Sequence, residues 1–469
     1  MGSKWKKIKL SEAVNFRNGA GIKQTFFTEK KDGIPLVKVS NFTLDSVDTS
    51  QSMTLVDNAH AENWKSHLLN TDDILIATVG SWPPNWSSVV GKVVRVPPEA
   101  ANMLQNQNTC CLIPNEDIDS NYLFYVLKSK EFQDWVVNTA QGSANQARVP
   151  INMLGHYEIS LPEIYHQRNI SNFISKLDTK IRINKNINSI LENISKALFK
   201  SWFVDFDPVI DNALDAGNSI PEVLQSRAEL RQKVRNSADF KPLSADIRAL
   251  FPAEFEETEL GWVPKGWMLE SVAKSININP SVKLPKNTVA KYVDMKSLPT
   301  QGYSISDVIE KPYAGGAKFQ KNDTLFARIT PCLENGKTGF VDFLDEQETA
   351  FGSTEFIVMR GTTKVHYSYV ACLARENNFR LHAIQNMVGS SGRQRVQNSC
   401  FDSFYIAVPT PSVMSLFAGK VSSYFDKMYC CNMENKSLTN LRDTLLPKLI
   451  SGELSLEDLP NLVAQTEPA

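Results

Sequence analysis

"QGSANQARVP" at residues 141–150 has a counterpart in "VGSSGRQRVQ" at residues 388–397. Each runs through Gly, Ser and amide side chains to an Arg-Val step. Each is followed about ten residues later by an apolar stretch closed by proline, "YEISLP" (157–162) and "FYIAVP" (404–409). The repeat extends outward from the loops. "TDDILIATVG" (71–80) aligns with "KNDTLFARIT" (321–330), each reading as a turn tipped by Asp73 or Asp323 and then a buried strand. "IPLVKVSNF" (34–42) matches "AKYVDMKSL" (290–298). "YLFYVLKSKEFQDWV" after residue 121 matches "YSYVACLARENNFRLHA" after residue 366, both with helical spacing. The openings "WKKIKLSEAV" (5–14) and "GWMLESVAKS" (266–275) also correspond. Segments kept in one order predict two domains of one mixed α/β (α+β) fold, with Asp73 and Asp323, and Arg148 and Arg395, at equivalent places.

A chain of 469 residues exceeds one ordinary core, and its length favours two or three domains. Its 42% apolar and 22% charged content is that of a globular protein. No apolar run approaches the roughly 18 residues that span a bilayer, and "MGSKWKKIKL" lacks a signal-peptide core, so no membrane partner and a cytoplasmic location are expected. The 7 cysteines are odd in number, partly adjacent and never spaced CxxC, which fits a reducing compartment rather than a zinc site or disulfide framework. The net charge of −1 conceals an asymmetry: residues 205–259 hold 12 acidic and 6 basic side chains, leaving an excess of +5 elsewhere. That excess permits a nucleic-acid partner without requiring one.

After each proline-closed strand comes a long amphipathic segment. Between His166 and Phe203 the stripe reads Ile170, Phe173, Leu177, Asn184, Ile187, Leu191, Ile194 and Leu198. Between Leu416 and Ile450 it reads Val421, Tyr424, Met428, Cys431, Asn435, Leu438 and Leu445. This is near-heptad spacing, and helices of roughly 35 residues call for a partner. The two are expected to pair with each other, with Asn184 and Asn435 meeting near the middle as a buried amide pair. Pro208 blocks continuation of the first helix. The acidic stretch that follows reads as a connector with one local helix, "IPEVLQSRAELRQKVRN" (220–236), and turn material around Pro242 and Pro252.

Catalytic constellations are not evident. "NFRNGAGI" (15–22) lies too near the start to follow a full strand, as a cofactor loop must. "SWPPNW" (81–86) inverts the polar and aromatic positions of an adenine-gripping Pro-Pro motif. "PNEDIDS" (114–120) has carboxylates but no suitably spaced lysine and no counterpart in the second half. The 6 histidines form no ligand pattern. The chain itself is therefore expected to hold no metal and no cofactor.

The polar loops remain as the chemistry of the chain. Gln141, Ser143, Asn145, Gln146 and Arg148 in the first, and Ser391, Arg393, Gln394 and Arg395 in the second, are the candidate DNA contacts, joined by Arg328 from the neighbouring strand. Amides pair with adenine at two points, and arginine with guanine or phosphate. A solvated loop capping a strand is the plain alternative, weakened by its recurrence.

Two equivalent domains alternating with two long helices resemble the plan of the Type I restriction-modification specificity subunit. "SKALFKSWFVDFDPV" (195–209) looks like that family's central conserved region, and "ELGWVPKGW" (259–267) like the start of its second target-recognition domain. "LRDTLLPKLISGEL" (441–454) looks like its C-terminal conserved region, and "LPEIYHQRNISNFISKLD" (161–178) extends the resemblance along the chain. The resemblance implies target-recognition domains at 1–162 and 259–410, a central helix at 163–206, an acidic connector at 207–258, and a C-terminal helix and tail at 411–469. The two helices would form an antiparallel coiled coil acting as a ruler. The chain would be non-catalytic, reading a bipartite site on double-stranded DNA. It would dock two modification (methyltransferase) subunits, and restriction or translocase subunits. S-adenosylmethionine, ATP and Mg would sit on those partners. Two other classes compete: a self-contained DNA methyltransferase or nuclease, separable by a cofactor-binding measurement, and a coiled-coil scaffold whose polar loops tolerate alanine.

Overall fold

The computed structural model describes residues 5–50, 52–85, 88–390 and 392–458. It divides into two compact units, residues 1–181 with 436–469, and residues 182–435. The division falls within both long helices, Ile164–Phe199 and Pro411–Ser451, so each unit contains part of each.

In the first unit the central sheet runs Val14–Asn18, Thr109–Pro114, Ile74–Ala77, Val93–Arg95, all antiparallel. The strand Ile74–Ala77 is buried at every residue because it is covered on both faces. Ile74 and Ile76 pack with Tyr122, Phe132 and Val136 of the helices Ser120–Leu127 and Lys130–Thr139. Leu75 and Ala77 pack with Val37, Val94 and Cys111. Burial on two faces is why the sequence reads "ILIA" without alternation. A second sheet places Ile34–Val37 between an antiparallel neighbour, Thr54–Val56, and a parallel one, Leu104–Gln105.

The second unit repeats this plan. Its central sheet runs Asn277–Ile278, Phe356–Arg360, Thr324–Ala327, Thr338–Phe340. Phe326 faces the helical side with Phe379, and Leu325 the opposite side with Val358. Val289–Val293 lies antiparallel to Ile309–Pro312 and parallel to Thr349–Gly352. The registers agree: Leu36 pairs with Leu104 and Val37 with Gln105, while Tyr292 pairs with Phe351 and Val293 with Gly352. In both units the opening strand closes on the strand leading into a long helix, Lys6–Lys9 on Glu158–Leu161 and Met268–Ser271 on Tyr405–Val408.

The turns before the central strands coincide in detail. Asp72 and Asn322 both take φ of 68°, a left-handed conformation that Asp and Asn tolerate. The next residue then bonds backward: the Asn70 N–H donates to Asp73 Oδ2 at 2.9 Å and the Gln320 N–H to Asp323 Oδ2 at 2.7 Å. Each carboxylate also holds an arginine, from different strands. Arg17 reaches Asp73 at 2.9 Å, and Arg360 grips the fully buried Asp323 by two bonds of 2.6 and 2.7 Å. The predicted equivalence of Asp73 and Asp323 holds.

Within each unit the long helices run antiparallel. Asp178 meets Arg442 at 2.7 Å in the first, while Asn184 meets Asn435 and Asn188 meets Asn432 in the second. The expected seam holds at Ile170, Phe173, Leu177, Asn184, Leu191 and Leu198, and its second row fails at Ile194. Ile194 is 43% exposed, and Ile190 beside it 57%. The second row is instead Ile174, Ile181, Asn188 and Ser195. Ser195 is buried with its hydroxyl donating to the Leu191 carbonyl at 2.8 Å, so it needs no partner across the seam. On the other helix Val421, Met428 and Cys431 are buried as expected.

The acidic stretch is more ordered than a connector with one helix. Its helices Asp207–Ala216 and Gln225–Arg235 run parallel and are laced by charge. Arg227 pairs with Asp207 at 2.7 Å, Arg231 with Asp211 at 2.7 Å, and Arg235 with Asp215. Asp207 and Asp211 are buried and each receives a two-point arginine contact, which offsets their desolvation. The segment's arginines are thus spent on its own aspartates, while the net excess of negative charge read from the sequence remains. Phe206, left-handed at φ 54°, breaks the chain between the first long helix and this pair, and Pro208 sits in the new helix's first turn.

Candidate nucleic-acid interface

The two polar loops are built alike. In the first unit Gln141–Ser143 and Gln146–Arg148 form a hairpin with Gln141 opposite Arg148 and Ser143 opposite Gln146. Its second strand pairs with Val79–Gly80, just beyond the central strand Ile74–Ala77, to make a separate three-stranded sheet in which Arg148 faces Val79 and Ala147 faces Gly80. In the second unit Val388 lies opposite Arg395 and Met387 opposite Val396. Arg395 bridges to Ile329. Val79 and Ile329 are aligned residues of the repeated strand, so the two arginines occupy one place in one fold, as the sequence predicted.

Glycine makes the close approach at each hairpin's base. Gly142 (φ 146°) and Gly389 (φ 134°) are both in the region disfavoured for side chains. A Cβ on Gly142 would meet the Gln146 carbonyl oxygen at 2.1 Å, and one on Gly389 the Arg393 oxygen at 3.0 Å. Val149 and Val396 are buried next to the arginines and anchor the hairpins to the domain.

The candidate side chains differ in availability. Gln141, Ser143, Asn145, Gln146 and Arg148 are exposed on one hairpin, while Ala147 points inward. Trp82 donates from its indole nitrogen to the Ser143 carbonyl at 2.8 Å and braces the tip. In the second hairpin Arg393 is exposed, Gln394 half-buried, and Ser391 lies outside the described residues. Arg395 is held by Glu355, with Nε at 3.0 and 2.9 Å and Nη2 at 2.7 Å from the carboxylate oxygens. Arg328 is a strut, donating from Nη2 to the Val396 carbonyl at 2.8 Å. Sequence reading did not find Glu355, because it lies 40 residues from Arg395 in no recognisable motif.

A second concave surface borders this region in the first unit. Gln24, Lys38, Ser40, Asn106, Gln107 and Asn108 line an open cleft with Phe27 at its wall. Its amide-rich loop 105–108 abuts the strand end, since the Thr78 N–H donates to the Asn108 carbonyl at 2.9 Å. Elsewhere, burial pushes the thiols of Cys110, Cys111, Cys372 and Cys400 up to about 12, which leaves them protonated and unreactive. Among the described residues no three His, Cys, Asp or Glu side chains converge to hold a metal, and no helix is long and apolar enough to cross a membrane.

Residues 2–193 match the family model described as the Type I restriction modification DNA specificity domain. The chain is 25% identical over 388 residues to the Type I restriction enzyme HindI specificity subunit of Haemophilus influenzae, covering 78% of this chain and 84% of that one. It is 25% identical over 365 residues to the MjaIX specificity subunit of Methanocaldococcus jannaschii, covering 76% and 73%. Among solved structures, the S subunit of a Type I restriction-modification system from M. genitalium aligns with a TM-score of 0.50 at 14% identity, over 95% of this chain and 96% of that one. That likeness is one of fold.

Proposed function

We infer that the chain belongs to the Type I restriction-modification specificity subunits, and that it is the non-catalytic component that reads DNA for the complex. The observation that carries this reading is the duplicated hairpin: Arg148 across from Val79, and Arg395 across from Ile329, at the same edge of the same fold. A polar, glycine-based projection built twice suits a site in two parts. Each hairpin carries the donors and acceptors that base edges and phosphates take.

In this proposal residues 1–162 and 259–410 each engage one half-site, the first with Gln141, Ser143, Asn145, Gln146 and Arg148 and the second with Ser391, Arg393, Gln394 and Arg395, with Arg328 supporting the second loop. Residues 163–206 and 411–469 supply the paired helices, and residues 207–258 the charge-laced connector. The helices dock two modification subunits, and restriction or translocase subunits join them. S-adenosylmethionine, ATP and Mg belong to those partners, and the assembly works in the cytoplasm.

Methylome sequencing of cells carrying this chain with its partner subunits tests the reading. A bipartite methylated sequence is expected. Alanine at Arg393, Gln394 and Arg395 should change or erase one half of it and leave the other half intact. Methylation that ignores this chain, or a motif without two parts, would refute the proposal.

A further inference from the structure

The two hairpins differ at one facing position. In the second unit the Arg328 N–H donates to the Glu355 carbonyl at 3.0 Å, and the Val396 N–H to the Arg328 carbonyl at 2.9 Å. In the first unit the same chain of bonds runs from the Thr78 N–H to the Asn108 carbonyl and from the Val149 N–H to the Thr78 carbonyl, both at 2.9 Å. Glu355 and Asn108 therefore hold one backbone position, two strands from the hairpin arginine. Glu355 is charged and occupies the Nε–Nη2 edge of Arg395. A guanidinium has a second edge, formed by Nη1 and Nη2, whose two parallel N–H groups match the O6 and N7 of guanine. That edge of Arg395 has no partner among the described residues, and the side chain is 42% exposed. Asn108 carries no charge, and no carboxylate among the described residues pairs with Arg148.

We propose that Glu355 is a positioning residue: it fixes the plane of Arg395 so that the free edge reads a guanine in the half-site of residues 259–410. Arg148, lacking such a carboxylate, contacts phosphate. The inference rests on the DNA-reading function above. Two physical consequences separate the arginines. A pinned fork loses less rotamer freedom on binding and meets a base in one orientation. The adjacent carboxylate also cancels most of the attraction of Arg395 for phosphate, whereas Arg148 keeps its full charge.

The test uses the assembled complex and duplexes carrying its bipartite site, with each base pair exchanged singly and binding measured against salt. Glu355→Gln should lower discrimination at one G·C pair of that half-site by roughly 5- to 150-fold, the worth of one two-point base contact. The other half-site and unrelated duplex should keep their affinity. Arg148→Ala should instead weaken all duplexes together and reduce the salt slope by about one. Asn108→Glu places the missing carboxylate beside Arg148 and should create a one-base preference in the first half-site; this variant removes no existing contact of the second hairpin and decides the matter if Glu355→Gln disturbs its loop.

Unchanged discrimination in Glu355→Gln, with discrimination lost in Arg395→Ala, would overturn the positioning role and leave DNA reading standing. Arg395→Ala weakening every duplex alike would overturn base reading by that arginine. A wild-type complex with no sequence preference at all would overturn the underlying function, a result distinct from both.

Discussion

Asn184 donates from Nδ2 to the Oδ1 of Asn435 at 3.1 Å and to the carboxylate of Glu434 at 2.8 Å, from a position only 1% exposed. One helical turn on, Asn188 donates to Asn432 at 2.7 Å. The seam therefore carries a polar layer where hydrophobic contacts would otherwise stand. The Oδ1 atoms of Asn184 and Asn188 are buried without a partner, so the layer is expected to cost stability and to act by fixing register. Leucine at both Asn184 and Asn435 should leave the fold intact with equal or higher thermal stability. Leucine at Asn184 alone should cost about 1–3 kcal/mol, because Asn435 then loses its donor. Melting curves of the three proteins check this; a double variant less stable than either single one would remove the register role.

Acid should stabilise one corner of the second unit. Burial holds the carboxyl of Asp342 up to about 6. An unfolded aspartate titrates near 3.9, so the folded chain binds this proton more tightly. Its contribution is fully present below about pH 4, is lost as pH rises through about 6, and is constant above that. The difference amounts to no more than about 3 kcal/mol. Asp342→Asn should therefore raise the melting temperature at pH 8 and change it little at pH 4. Equal shifts at both pH values would show that the carboxyl is not the cause.

The first hairpin should be separable from the stability of its domain. Gly142 combines φ of 146° with a space in which Cβ would sit 2.1 Å from a carbonyl oxygen. Gly142→Ala must displace the strand Gln146–Arg148, yet the hairpin is almost wholly exposed and adds little to the core. Recognition of one half-site should fall sharply while the melting temperature moves by only a few degrees. Loss of both together would mean that the hairpin is part of the folding unit.

What could be read in advance was whatever repeats or recurs at fixed spacing. The segment order gave two copies of one fold, and the Asp73 and Asp323 turns match down to the donor that bonds each carboxylate. The amide pair at Asn184 followed from its place on the stripe. The rest depends on contacts distant in sequence. Periodicity favours large apolar residues, so Ile187 and Ile194 outranked Asn188 and Ser195, although it is the small polar pair that lies in the seam. The arginines that neutralise Asp207 and Asp211 lie 20 residues away on another helix, beyond any local pattern. Glu355 is invisible for the same reason: only the folded sheet brings it beside Arg395.

The length of the paired helices should appear in the DNA sequence the complex recognises. The first long helix has 36 residues, about 54 Å at 1.5 Å per residue. One turn of duplex is about 34 Å for 10 to 10.5 base pairs. Helices of this length can therefore serve as a ruler for half-sites about one turn apart. Removing one heptad from each helix at facing positions keeps the buried rows in phase and shortens the ruler by roughly 10 Å. The half-sites should then be recognised about three base pairs closer together, with the sequence of each half unchanged. Because Asn184, Asn188, Asn432 and Asn435 lie near the middle, the excised heptads should flank that layer so that register is kept. Methylome mapping of the doubly shortened protein reads the spacer directly. Methylation that persists with the original spacer would mean that something other than the helices sets it.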